Sequence, residues 1–313
     1  MTQASLATTP SGAGVVPGLA PSTALRHFRY ERPQSVSDAV AMLEGDGAVP
    51  LAGGTDVVIM RAAGTLTPRV LVDVKAIPDL RMIRKHETGW TLGAAVTMAR
   101  FAQLRGKGLD ALVDGAAVLG GVQTRSRATI GGNVCRSSPA GDVLPGLLVL
   151  GGRATLQSVS GSRTVGLDKF FTGPGMNVRR PDELVTQLDL KPSDGGSAFE
   201  RFTYRSWMDL AVVSLAVRLE LGADGTCVEA AIAAGAVGPV PILIGDAAAV
   251  LVGSRCESEA IDAACESIAS AVDPISDVRG SRTFRLRVLR PLARRAISKA
   301  HARAVDGAVA DGT

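Results

Sequence analysis

Leu51-Ala52-Gly53-Gly54-Thr55-Asp56-Val57 is a short apolar run that ends in two glycines, a hydroxyl and a carboxylate, and its pattern recurs at Ala128-Thr129-Ile130-Gly131-Gly132-Asn133. Two consecutive residues without a Cβ let main-chain N–H groups converge on an anion at close range. One such turn, taken alone, is as readily an ordinary strand-to-helix connection. Two in one chain can hold a dinucleotide from both sides. Neither segment matches G-x-x-x-x-G-K-[ST], or G-x-G-x-x-G with its ribose-binding acid, which argues against ATP or a nicotinamide as the primary ligand.

Outward from the first glycine pair, Ala48–Leu51 reads as a buried strand, 57–63 as a helix or turn and 69–74 as a second strand. With an extended stretch at 27–33 and a helix at 38–44, the first 80 residues form a small β-α-β layer. Strands at 82–85 and 89–92 follow, then a helix from Thr97 carrying Met98, Phe101 and Leu104, and an apolar helix at 111–119 closed by Gly120 and Gly121. Beyond the second glycine pair come a buried helix at 144–150, a hairpin at 153–159 and 162–165, and a strand at 183–190. Past a polar break at 191–196, two long strands (211–221, 227–236) and three helices (242–251, 257–271, 283–304) describe a sheet backed by a helical layer. Residues 1–24, rich in Ala, Ser, Thr, Gly and Pro, lack the charged and apolar regions of a secretory signal and read as a disordered tail.

With 313 residues and 46% apolar content, the chain can fill one large or two ordinary cores. Aromatics make up only 4% against 36 glycines, so small and branched side chains build the interior, which suits an α+β or α/β protein better than a helical bundle. The net charge is +4, but the arginines are dispersed among acids, and no basic stripe with interleaved aromatics points to nucleic acid. The one basic concentration holds Arg282, Arg285, Arg287, Arg290, Arg294 and Arg295. It reads either as a solvated helix face or as a docking surface for an acidic partner. Cys135, Cys227, Cys256 and Cys265 include no C-x-x-C pair, so no zinc or iron-sulfur site is encoded, and reduced thiols suit a cytoplasmic protein. No apolar run reaches the roughly 20 residues of a membrane helix, so no integral membrane segment is expected.

Four segments carry a closer likeness: LAGGTDV at 51–57, GVQTRSRATIGGNVCRSSPAGDVLP at 121–145, RFTYRSWMDLAVVSLAVRL at 201–219 and DVRGSRTFRLRVLRPLARRAI at 277–297. Through them the chain, from about residue 25 to 303, closely resembles the FAD-binding (medium) subunits of the xanthine dehydrogenase and carbon monoxide dehydrogenase family of molybdenum hydroxylases. The resemblance implies an α+β fold: a vanillyl-alcohol-oxidase-like (PCMH-type) FAD-binding domain over 25–195, in subdomains of about 25–80 and 81–195, then a smaller α+β C-terminal domain over 196–313. It implies non-covalent FAD, with the diphosphate and ribityl chain along Pro50, Leu51, Ala52, Gly53, Gly54, Thr55, Asp56 and Val57 and along Thr129, Ile130, Gly131, Gly132 and Asn133. Asp142 matches a cofactor-contacting acid of the family, or else is a plain helix N-cap. Leu119 falls beside the adenine, and Val185 where an aliphatic residue packs near the cofactor.

One departure concerns the strand where relatives often carry Lys after Phe or Tyr. Here Phe199-Glu200-Arg201 stands instead, so the cation is Arg201 displaced by one residue, or Arg201 is an edge-strand surface charge. A cation at the pyrimidine end of a flavin would favour the anionic reduced state. Cys135 reads as a small buried group rather than a redox residue, and His27, His86 and His301 stand in no pattern for covalent flavin attachment. By resemblance the chain is an electron-transferring subunit. Molybdopterin and 2Fe-2S clusters then lie only on partners, an iron-sulfur small subunit and a molybdopterin large subunit, assembled as a dimer of heterotrimers. Two other readings stand beside it: a self-contained FAD-dependent oxidoreductase of the same fold, and a non-catalytic assembly subunit. The retained glycines oppose the last.

Overall fold

The computed structural model describes residues 27–310, so the tail expected over 1–24 lies outside the described residues. The first layer is parallel: β1 (Arg29–Glu31), α1 (Val36–Leu43), β2 (Ala48–Leu51), α2 (Val57–Ala62) and β3 (Val70–Asp73), with strand order β1-β3-β2. Parallel neighbours need crossovers, and α1 and the α2 connection supply them. Ser35 starts α1 by accepting the Asp38 N–H at 3.1 Å. Ala39, Val40 and Leu43 form the buried stripe that packs with Val70 and Val72. Of the strands, β3 is buried along its whole length, whereas β2 is only half-buried because one side faces the cleft described below.

The second unit runs through β4 (Ile83–His86), β5 (Gly89–Gly93), α3 (Asp110–Val118), α4 (Val122–Arg127), α5 (Ile130–Arg136), α6 (Leu144–Val149), β6 (Arg153–Ser158), β7 (Gly161–Gly166), the small pair β8 (Phe171–Gly173) and β9 (Met176–Asn177), and β10 (Leu184–Leu190). Its antiparallel sheet has the order β4-β5-β10-β6-β7, with the last strand in sequence at the centre. The helix expected from Thr97 is wound as 3-10 turns over Met98–Leu104, entered through a bond from the Met98 N–H to the Ala128 carbonyl. Unforeseen in the sequence, α4 buries no side chain and so carries no apolar period to betray it.

The third unit is an antiparallel sheet of β11 (Gly196–Phe202), β12 (Val213–Leu221), β13 (Cys227–Gly235) and β14 (Ile242–Leu243), with α7 (Gly245–Leu251), α8 (Ser258–Ser270) and α9 (Arg282–Ala310). The helix expected over 242–251 is in fact β14 followed by α7, because Ile242 and Leu243 pair with Ala234 and Ala233. Leu215, Val217 and Leu219 of β12 face the core built with α8 and α9, while Ala216 joins Phe199 and Ala233 in the core of the second unit. A strand covered on both faces reads as a continuous apolar run, and this one does.

The basic segment is largely a solvated helix face, most of whose charges are paired: Arg282, Arg287, Arg290 and Arg295 are exposed, and Arg285 alone of the six is buried. Arg282 pairs with Asp273 at 2.9 Å, Arg290 with Glu266, and Arg294 with Asp262. The buried guanidinium of Arg285 donates to the carbonyls of Val212 and Ala236 and to Asp277. Further along α9, Arg303 and Lys299 reach Asp114 of α3 at 2.7 and 3.2 Å, joined there by Arg105 at 3.1 Å. Burial raises the Asp114 carboxyl, but Arg303, Lys299 and Arg105 outweigh it and hold the group below the usual carboxylate range. A depressed folded value means that this stabilisation is present above the unfolded value and is lost as the pH falls through the folded one. We therefore expect Asp114→Asn to cost about 2 kcal/mol at pH 7. In urea titrations the gap to wild type should close below about pH 4, and a gap that does not vary with pH would refute the clasp.

Candidate cofactor site

A cleft of about 270 Å³ separates the parallel layer from the second unit. One wall is the first glycine pair. At Leu51 β2 gives its last carbonyl to the Val74 N–H, the chain leaves the sheet, and α2 begins as Val58 and Met60 bond back to Gly54 and Asp56. Between these points Gly54 takes a left-handed turn with φ of 80°. Among the described residues, the main-chain N–H groups of Gly53, Gly54, Thr55 and Asp56 donate to no protein acceptor. Adjacent unspent donors around a left-handed glycine make an anion cradle. The two glycines serve different ends. A Cβ on Gly53 would lie 2.2 Å from the Arg127 carbonyl oxygen, so Gly53 lets the loop rest on the backbone of the second unit, whereas a Cβ on Gly54 meets nothing closer than Leu51 Cδ1 at 3.4 Å.

The opposite wall corrects an expectation. The second glycine pair is not a loop of free donors but the first turn of α5, capped by Thr129, whose Oγ1 accepts the Gly132 N–H at 3.2 Å. Ile130 donates to the Val96 carbonyl, Gly131 to that of Ala94 and Asn133 to that of Thr129, at 2.9 to 3.0 Å. Every N–H from 130 to 133 is thus spent inside the protein. Gly131 is a packing residue, since a Cβ there would come 2.6 Å from that of Ala94. This wall lines the cleft with Thr129, Gly131, Gly132 and Asn133, and the Asn133 Oδ1 is buried without a hydrogen-bond partner.

Of the residues singled out in the sequence, Pro50, Ala52, Gly53, Gly54, Thr55, Asp56, Val57, Thr129, Gly131, Gly132, Asn133 and Val185 line this cleft. Leu51, Leu119, Ile130, Asp142 and Arg201 do not. The Ile130 side chain is fully buried in the core of the second unit, and Leu119 packs against the same core from the end of α3. Asp142 and Arg201 meet each other at 2.7 Å, each 6% exposed, and Arg201 also donates to the Asp209 carbonyl. Arg201 is therefore no edge-strand surface charge, although β11 is an edge strand. Nor is Asp142 a helix cap, because α6 is preceded by Val143 and has no side-chain cap. Burial pushes the Asp142 carboxyl up to about 6 against the pull of Arg201.

Sequence reasoning missed Arg136 and Arg179, both at the cleft. Arg136 meets Asp56 at 3.2 Å across 80 positions of sequence, a pairing that no local pattern encodes. Cys135 also lines the cleft, and burial pushes its thiol upward, away from the reactive thiolate.

Comparison with known proteins follows the same division of the chain. Residues 26–190 match the family described as the FAD binding domain in molybdopterin dehydrogenase, and residues 197–300 match the CO dehydrogenase flavoprotein C-terminal domain. The carbon monoxide dehydrogenase medium chain of Afipia carboxidovorans is 32% identical over 88% of this chain and 98% of its own length. The nicotine 6-hydroxylase medium subunit of Paenarthrobacter nicotinovorans is likewise 32% identical, over 88% of this chain and 98% of its own. Among solved structures, reconstituted CO dehydrogenase from Oligotropha carboxidovorans superposes with a TM-score of 0.84 at 30% identity, covering 89% of this chain and 99% of that one. An anion cradle beside an apolar slot, in a chain matched nearly end to end, identifies it as a member of the FAD-binding medium-subunit family of the molybdenum hydroxylases.

Proposed function

We propose that this chain is the electron relay of a cytoplasmic molybdenum hydroxylase. It takes electrons from an iron-sulfur small subunit and hands them as a pair to a terminal acceptor, while a molybdopterin large subunit oxidises the substrate, the whole forming a dimer of heterotrimers. FAD suits that place because a flavin exchanges one or two electrons. The observation that carries the reading is the run of four unspent N–H donors at Gly53, Gly54, Thr55 and Asp56, which fits a diphosphate. Across from it, Thr129 and Asn133 line the cleft beside the bare Gly132, polar side chains that suit the hydroxyl-rich part of the cofactor. Val185 and Leu184 contribute apolar surface. Leu119, Asp142 and Arg201, which the resemblance brought in, stand apart from this cleft and are not assigned to it.

Among the described residues, neither acid of the cleft is free to act as a base on a substrate of its own, which favours a relay over a self-contained oxidoreductase. The cleft's two acids are already engaged, Asp56 by Arg136, and Glu183 by Arg163 at 2.7 Å and by the Arg180 N–H. The Arg163 hydrogen bond holds the Glu183 carboxyl below the usual range. No histidine lines the cleft. No helix among the described residues is long and apolar enough to cross a membrane.

The purified chain should carry a flavin absorbance band at about 450 nm and have no hydroxylase activity. Co-expression with a two-cluster iron-sulfur subunit and a large molybdenum subunit should restore activity. Substrate-dependent flavin reduction by this chain alone would overturn the reading in favour of the self-contained oxidoreductase.

A further inference from the structure

We propose that Arg136 is a direct ligand of the dinucleotide diphosphate, and that Asp56 acts on the cofactor only through Arg136, as the residue that positions its guanidinium. This deepens the reading above and rests on it. Arg136 is the last residue of α5 and lines the cleft opposite the cradle. Its Nε donates to Asp56 Oδ1 at 3.2 Å, and among the described residues neither of its amino groups has an acceptor. Gly175 makes room for it, since a Cβ there would lie 3.1 Å from Arg136 Nη1. The fork is thus held by one edge and leaves the other unspent, the edge that grips phosphate with two parallel N–H bonds.

Charge decides the part played by Asp56. Its main-chain N–H belongs to the cradle, but an ionised carboxylate beside a diphosphate is repulsive unless a cation stands between them. Asp56 and Arg136 are 54% and 42% exposed, so their mutual attraction is worth little by itself. Its consequence is geometric: it fixes a long, flexible side chain across the mouth of the cleft. Arg179, the other cation of the cleft, already spends Nη1 on the carbonyls of Arg180, Pro181 and Glu183. Arg136 keeps both amino groups unspent, whereas Arg179 keeps only Nη2 among the described residues.

The test measures dissociation constants of the deflavinated full-length chain for FAD, for ADP and for riboflavin, which lacks phosphate, over a series of salt concentrations. We expect Arg136→Gln to weaken FAD and ADP by about tenfold to a hundredfold and to flatten their salt dependence, leaving riboflavin unchanged. Arg136→Lys should recover part of the loss. Asp56→Ala should weaken FAD by about threefold to tenfold, while Asp56→Asn, which can still accept from Nε, should stay near wild type. Unchanged FAD affinity and salt dependence in Arg136→Gln would overturn the proposal, as would tighter FAD binding by Asp56→Ala. A loss shared equally by riboflavin would do the same, by showing a structural role. Failure of the wild-type chain to bind FAD at all would instead strike the function proposed above, so the two failures are distinguishable.

Discussion

Gly54→Val should leave the purified chain without FAD. Gly54 has φ of 80°, a conformation that costs a β-branched residue about 1 to 2 kcal/mol, and relaxing that strain turns its N–H and those beside it out of the cradle. Each N–H bond to a charged phosphate is worth about 1.5 to 3 kcal/mol, so losing one weakens the cofactor by roughly tenfold to a hundredfold and losing two by roughly a hundredfold or more. The fold should survive, because a Cβ at Gly54 would make only ordinary van der Waals contacts, with Leu51 Cδ1 at 3.4 Å and Val58 Cγ2 at 4.0 Å. Gly132→Val acts by a different route: its Cβ would come 2.9 Å from Thr129 Oγ1, displacing the cap of α5 and filling the bare face turned to the cleft. Absorbance at 450 nm against protein concentration reads both. Stoichiometric flavin in folded Gly54→Val would sink the cradle.

Asp142→Ala should strike stability harder than cofactor binding. Its carboxylate balances Arg201, and both side chains are 6% exposed. Deleting the acid leaves a guanidinium in the interior with no counter-charge, and Arg201 Nη2 already has no acceptor among the described residues. Breaking a buried pair from one side commonly costs about 3 to 5 kcal/mol, a large part of a domain's stability. Replacing both partners by apolar groups, as in Asp142→Leu with Arg201→Met, should restore most of it, because the pair itself is costly to desolvate. FAD affinity in surviving Asp142→Ala should fall by no more than about tenfold, since the carboxyl does not line the cleft. Urea unfolding decides it: an unchanged midpoint for the single variant, or a double variant weaker than the single one, contradicts the account.

Both pairs show where sequence stops being legible. The strand leading to Gly53-Gly54 and the buried runs of β10 and β12 follow from local pattern, because apolar period and glycine act within a few residues, whereas α1 starts two residues before the expected 38, at the Ser35 cap. The turn of open N–H donors at 53–56 follows from its two glycines for the same reason. The second glycine pair was misread, because Thr129-Ile130-Gly131-Gly132 has the composition of a loop, and only the approach of Ala94 and Val96 shows that its N–H groups are spent. Long-range partners escaped altogether. Nothing near Arg136 announces Asp56, nothing near Arg201 announces Asp142, and the spacing along α9 does not announce that Arg282, Arg290 and Arg294 pair with the exposed Asp273, Glu266 and Asp262 or that Arg303 reaches the buried Asp114. Charged side chains reach several ångströms in any direction, so their partners are set by packing and not by spacing.

Amide hydrogen exchange with and without FAD tests the central claim most directly. The N–H groups of Gly53, Gly54, Thr55 and Asp56 have no protein acceptor among the described residues, whereas those of Ile130 to Asn133 are already bonded. Binding of one FAD per chain should therefore slow exchange sharply across 53–56 and change it little across 130–133. FAD bound in equal stoichiometry with exchange at 53–56 unaltered would place the diphosphate elsewhere and contradict the account.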